Sequence, residues 1–94
     1  MKVIWRRNAL LDLAEIDTYI RQKNPQAANR VVSNIRRETS VLTKLPLIGR
    51  EGRIENSREL VIGQFPYIVA YQITPSAVEI LAVIHSAQLW PENF

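Results

Sequence analysis

Cysteine is absent from this 94-residue chain, and histidine occurs once, at position 85. The first absence excludes disulfides and thiolate metal ligands; the two together leave a structural zinc site without a ligand set. Lack of cysteine also fits a reducing compartment. No apolar run approaches the roughly 20 residues that span a bilayer; the longest, Ile80 to Ile84, has the length of a strand. The opening Met1-Lys2-Val3-Ile4-Trp5-Arg6-Arg7 sets charge on both sides of a very short apolar run, unlike a signal peptide. Repeats, low-complexity tracts and dividing linkers are missing too. These absences lead us to expect one cytoplasmic domain over residues 1–94, with no membrane contact, metal or cofactor. A domain of this size buries only about 60–65% of the surface its unfolded chain exposes, so its margin of stability is thin.

What is present is arginine. The formal charge is +3, and nine of the twelve basic residues are Arg. That bias suits bidentate contact with carboxylates or phosphates. An acidic protein partner and a nucleic acid would each account for it.

Lys2 to Arg6 reads as a first strand. A helix is expected from about Ala9, because Ala9, Leu13, Ile16 and Ile20 recur at helical spacing while Asp12, Glu15 and Asp17 turn elsewhere. Asn24-Pro25 marks a restart, with Asn as cap and Pro in the first helical position. The second helix carries Ala28, Val31, Val32, Ile35 and Leu42 and should end near Lys44-Leu45-Pro46. The short join makes residues 9–45 an antiparallel helical hairpin, with Arg30, Arg36 and Arg37 on or beside its exposed side. Residues 46–57 read as loop. Residues 58–86 then read as three strands, split by Gly63-Gln64-Phe65-Pro66 and Thr74-Pro75-Ser76; such joins are too short for parallel crossovers. Residues 87–94 form a tail. The expected class is α+β, in the order β-α-α-β-β-β, with an antiparallel meander packed on an N-terminal helical hairpin.

Both faces of that meander want cover. The middle strand divides into Tyr67, Val69, Tyr71, Ile73 and Ile68, Ala70, Gln72. The last divides into Val78, Ile80, Ala82, Ile84 and Glu79, Leu81, Val83, His85. A half-solvated antiparallel sheet alternates more cleanly. Two helices cover one face; the other calls for the tail or for a protein partner.

Taken in order, several of these pieces resemble the ParE/RelE superfamily, the toxins of bacterial type II toxin–antitoxin modules. They are the strand with Trp5, Asp12-Leu13-Ala14-Glu15-Ile16 with Tyr19-Ile20, Asn24-Pro25-Gln26-Ala27-Ala28, Pro46-Leu47-Ile48-Gly49-Arg50, Arg58-Glu59-Leu60, Tyr67 to Tyr71, and His85…Trp90-Pro91. The resemblance covers nearly the whole chain. It implies the β-α-α-β-β-β fold, growth inhibition in a bacterial cytoplasm as in plasmid stabilisation, and neutralisation by a cognate ParD-like antitoxin through an amphipathic, partly acidic segment. Operator DNA would be met only through the antitoxin complex. Candidates for antitoxin contact are Arg30, Arg36, Arg37, Tyr67, Val69 and Tyr71; candidates for target contact are Arg50, Arg53, Arg58, His85, Gln88 and Trp90.

The superfamily has two trades. ParE-like members block DNA gyrase and need no catalytic residues; RelE-like members cut mRNA on the ribosome. Cleavage through the 2′-OH needs a base, cations about the phosphate and an acid for the leaving oxygen. Ile68 stands where the nuclease pattern has Arg, Leu60-Val61-Ile62 offers no Lys, Gln88 replaces a frequent Arg, and no Tyr follows Tyr71. A nuclease would be left with His85, a general acid or base by residue type, and with Arg50, Arg53 and Arg58. Alternatively His85 closes a strand, and the loop arginines pair with Glu51, Glu55 or antitoxin carboxylates. Trp90 and Phe94 would stack on bases or pack on the sheet, and Glu59 beside Arg58 reads as a surface pair of small value. The expectation is a gyrase poison without catalysis of its own, with the nuclease as alternative and an antitoxin-binding but inactive homologue as the third reading.

Overall fold

In the computed structural model, residues 1–87 are described. The elements are β1 (Lys2–Trp5), α1 (Arg7–Arg21), α2 (Pro25–Ser40), a 3-10 turn (Val41–Thr43), β2 (Arg50–Glu51), β3 (Arg58–Val61), β4 (Tyr67–Ile73) and β5 (Ala77–His85). The strands form one sheet in the order β1-β5-β4-β3-β2. The class is α+β as expected, and β3, β4 and β5 form the antiparallel meander.

Three features depart from the expected layout. β1 lies parallel to β5, Trp5 opposite Ile80, so the sheet is mixed. The stretch expected to be loop contains β2, whose Arg50 and Glu51 pair with Glu59 and Arg58. Helix α1 begins at Arg7 rather than Ala9, and α2 gives way after Ser40 to the 3-10 turn.

The restart between the helices has a local cause. The Asn24 side chain accepts from the Ala27 N–H at 3.0 Å, and Pro25 supplies a pre-set φ where no N–H is needed. Arg21 then ties the hairpin together: its guanidinium donates to Asp17, one turn back, and to Asn29 on α2. The apolar stripes of the helices meet the sheet in a core of Leu13, Val31, Ile35, Leu42, Ile62, Val69, Tyr71, Val78, Ile80 and Val83. Each such side chain contributes about 1.5–3 kcal/mol on full burial.

Strict alternation along β5 fails, and the register shows why. Ala70 faces Ala82, yet Tyr71 faces Ile80; Leu81 is an extra residue. An added residue moves every later side chain to the opposite face. Val78 and Ile80 therefore share the helical core with Val83, while Ala82 and Ile84 join Ala70 on the other side. Past the end of β1, the Val83 N–H finds its acceptor on α1, Asp12 Oδ2 at 3.0 Å. Burial pushes the Asp12 carboxyl above its usual value, against the lowering effect of that bond, with Glu15 adding to the rise.

The face turned from the helices is apolar and buried at Ile68, Ala70, Ala82 and Ile84. The expectation that the tail folds over it concerns residues outside the described ones, save Ala87, which is exposed. Among the described residues no helix is long and apolar enough to cross a membrane.

Candidate functional site

Arg50, Arg53 and Arg58 come to one corner of the molecule, and each is already engaged there. Glu59 organises the first two. Its side chain points away from the helices and is only 3% exposed. Arg50, directly opposite on β2, donates through Nη2 at 2.8 Å and Nε at 3.0 Å to Oε1. The Arg53 N–H and Nε reach Oε2 at 2.9 and 3.3 Å. Burial alone would raise the Glu59 pKa; the Arg53 N–H bond, the Arg50 bond and the two positive charges outweigh it, so the carboxyl titrates below its usual range. The expected surface pair of Glu59 with Arg58 does not form. A charged residue reads as exposed in sequence, yet β2 closes over this one and brings paired arginines with it.

Arg58 faces the other way. On β3 it shares the helical side of the sheet with Tyr71, and its Nη1 donates to the carbonyls of Gly49 at 2.8 Å and Leu47 at 3.4 Å. The fully buried Tyr71 completes the attachment. Its hydroxyl donates to Pro46 O at 2.7 Å and accepts from the Gly49 N–H at 2.9 Å. A Cβ on Gly49 would meet that hydroxyl at 2.5 Å, so only glycine lets the loop come so close. Burial raises the Tyr71 phenol above its usual value, partly countered by the Gly49 bond and the Arg58 charge. A cleft of about 780 Å³, lined by Glu51, Glu55, Ser57, Arg58, Gln72 and Ile73, opens beside this corner.

His85 is elsewhere. It ends β5 opposite Tyr67, with the two rings edge-on and 5.4 Å apart. Its Nδ1 accepts from the Ala87 N–H at 3.1 Å, which leaves the proton of the neutral ring on Nε2. Burial, with the neighbouring Tyr19, holds the Tyr67 phenol above its usual value. Arg58 pairs with Tyr71 and His85 with Tyr67, four residues apart on β4. That is about 13 Å along the strands and about 10 Å across two strand spacings. That backbone spacing, with Arg58 turned to the Gly49 carbonyl and Arg50 and Arg53 turned to Glu59, sets His85 apart from the corner arginines.

The α2 arginines divide as well. Arg30 and Arg37 line a cleft of about 470 Å³ with Asn29, Ser33, Gln64 and Phe65. The buried Asn34 beneath it, its amide oriented by its neighbours, donates to Glu38 and accepts from Arg37. Arg36 instead stacks over Trp5, 5.5 Å from the ring centre. Of the strand residues named for a partner, Val69 and Tyr71 are wholly buried and Tyr67 keeps some surface. Gln88 and Trp90 lie outside the described residues.

A family profile described as ParE toxin of type II toxin-antitoxin system, parDE, matches residues 3–90. The chain belongs to the ParE toxin family. A Sinorhizobium fredii protein named as a toxin, Y4kP, is 44% identical over 91 residues, covering 97% of this chain and 94% of its own length. Toxin RelE2 of Caulobacter vibrioides is 33% identical over 90 residues, or 94% of this chain and 98% of that one. A chain from the structure titled Chromosomal ParDE TA system from P. aeruginosa superposes with a TM-score of 0.84 over 90% of this chain and 95% of its own, at 22% identity. That likeness establishes a shared ParE fold.

The functional reading of this ParE sequence missed Glu59 and the Tyr71 hydroxyl. The signal for Glu59 was parity: Glu59 falls on the same strand face as Val61, opposite apolar Ala70, where a carboxylate needs cationic partners.

Proposed function

We propose that this ParE toxin arrests growth by protein–protein contact with DNA gyrase in the bacterial cytoplasm, and that a ParD-like antitoxin neutralises it. One observation carries the reading: the groups an RNA-cleaving centre would use are dispersed. His85 sits at one end of the sheet, Arg50 and Arg53 are committed to Glu59, and Arg58 is committed to loop carbonyls. Ile68, where the nuclease pattern has a cation, is buried opposite Ile84. The Arg30–Arg37 cleft supplies the charge to which an acidic antitoxin segment would bind.

The test is gyrase supercoiling with antitoxin-free protein. The expected result is loss of supercoiling with cleaved DNA trapped, and the same loss with His85→Ala. Unimpaired supercoiling together with codon-dependent cleavage of translated mRNA, abolished in His85→Ala, would replace this reading with ribosomal RNA cleavage.

A further inference from the structure

Just past α2 the chain turns its apolar side chains outward. Leu45 is 53%, Leu47 66% and Ile48 54% exposed, with Val41 beside them in sequence at 40%. Together with Lys44 and Pro46, these three border a shallow cleft of about 410 Å³. Scattered exposed leucines are ordinary; Leu45, Leu47 and Ile48, bordering one cleft, form an apolar patch of the kind that marks a contact surface.

The backbone beneath the patch is held from every side. The Lys44 and Leu45 N–H groups donate to Val41 O, and the Ile48 N–H donates to Leu45 O. Tyr71 takes Pro46 O and the Gly49 N–H, Arg58 takes the Leu47 and Gly49 carbonyls, and the Met1 amine donates to Thr43 O. A buried tyrosine hydroxyl and a guanidinium thus fix a loop whose largest side chains touch nothing that buries them. Pre-organised apolar anchors of this kind lose little conformational freedom on binding.

Charge narrows the occupant. From Thr39 to Arg50 there is no Asp or Glu, whereas Lys44 lies in the patch and the Met1 amine donates to Thr43 O. A second copy would set cation against cation. A partner with carboxylates around an apolar groove would be attracted and held. The Arg30–Arg37 cleft, about 15 Å back along α2 at 1.5 Å per residue, is a separate polar surface.

The structure assigns the Leu45–Pro46–Leu47–Ile48 knuckle as the anchor by which the toxin grips its target protein, at a carboxylate-bordered apolar groove of that target. This rests on the reading that the toxin acts by protein contact.

Two variants test it, Leu47→Ser combined with Ile48→Ser, and Lys44→Glu. Both alter exposed side chains, and unchanged far-ultraviolet circular dichroism and Tm verify the fold. Growth arrest on induction reads the knuckle whatever the target, and inhibition of gyrase supercoiling reads the target. The expected result is that the double variant no longer arrests growth and needs at least about tenfold more protein to inhibit gyrase, the scale of losing a hot-spot anchor, with a smaller loss for Lys44→Glu. A double variant that arrests growth like wild type overturns the assignment. So does one that keeps its toxicity but escapes the cognate antitoxin, which would give the surface to the antitoxin. Wild-type arrest without gyrase inhibition, lost in the double variant, would overturn the gyrase reading and leave the knuckle standing.

Discussion

The helical hairpin and the segment from Pro46 to Glu59 keep their shapes by different means. In the hairpin, many interchangeable contacts share the work: Leu13, Val31, Ile35 and Leu42 sit in one cluster, and the cap at Asn24 only fixes where the second helix begins. In the segment, beside the short β2–β3 ladder, three side chains supply the long-range attachments. Tyr71 and Arg58 fasten residues 46–49, and Glu59 fastens Arg50 and Arg53. Burial by area is forgiving of exchange and announces itself as a period in the sequence. Attachment by single hydrogen-bonding groups is specific, has no period, and depends on partners far along the chain.

That contrast orders the substitutions that would break it. Ile35→Ala, at a fully buried site, is expected to cost about 2–5 kcal/mol, read as a lower urea midpoint for the whole domain. A loss under about 1 kcal/mol would mean that the hairpin is less tightly packed than its burial indicates. Tyr71→Phe keeps the ring and strands Pro46 O and the Gly49 N–H, at about 1–3 kcal/mol. Its distinguishing mark is local: amide exchange should accelerate at Ile48 and Gly49 before it does in α1. Uniform acceleration would show that the two regions are not separately held. Asn24→Ala removes one helix cap, worth about 1 kcal/mol, and should leave exchange in the 46–49 loop untouched.

Glu59→Gln is the smallest of the four in neutral solution and the most informative in acid. Its partners are about half exposed, so each pair is worth at most about 1 kcal/mol. The folded-state pKa lies below the ordinary value, so the contribution is present in full above the unfolded value of about 4.3. It is lost as pH falls through the folded value. Wild-type and Glu59→Gln stability curves should therefore converge on acidification below about pH 4. Curves that stay parallel would show that the ion pairs contribute nothing.

The same contrast separates what could be read in the sequence from what could not. The helices, the Asn24 restart and the three-stranded meander follow from period and turn chemistry. The parallel seat of β1 beside β5 does not, because four β-branched and aromatic residues say "strand" without naming a neighbour. The irregularity at Leu81 is invisible because Leu81 and Ala82 are both apolar, so the pattern shows no break where the faces exchange. Of the site, Arg50, Arg53, Arg58 and His85 were recognisable as chemistry-bearing residues. Their commitments were not: Glu59 reads as surface until β2 covers it, and the distance between His85 and Arg58 is a property of strand order.

The pairing of Trp5 with Ile80 also has a consequence in time. Most of the chain must be made before β1 acquires its neighbour, and β4 likewise waits for β5 on one side. A nascent ParE chain can wind its helices early, since those contacts are local, but the sheet cannot close until its final strand has emerged. What depends on β5, the core shared by Ile80 and Val83 included, is therefore settled only after the helices and the groups that fasten the loop have been made.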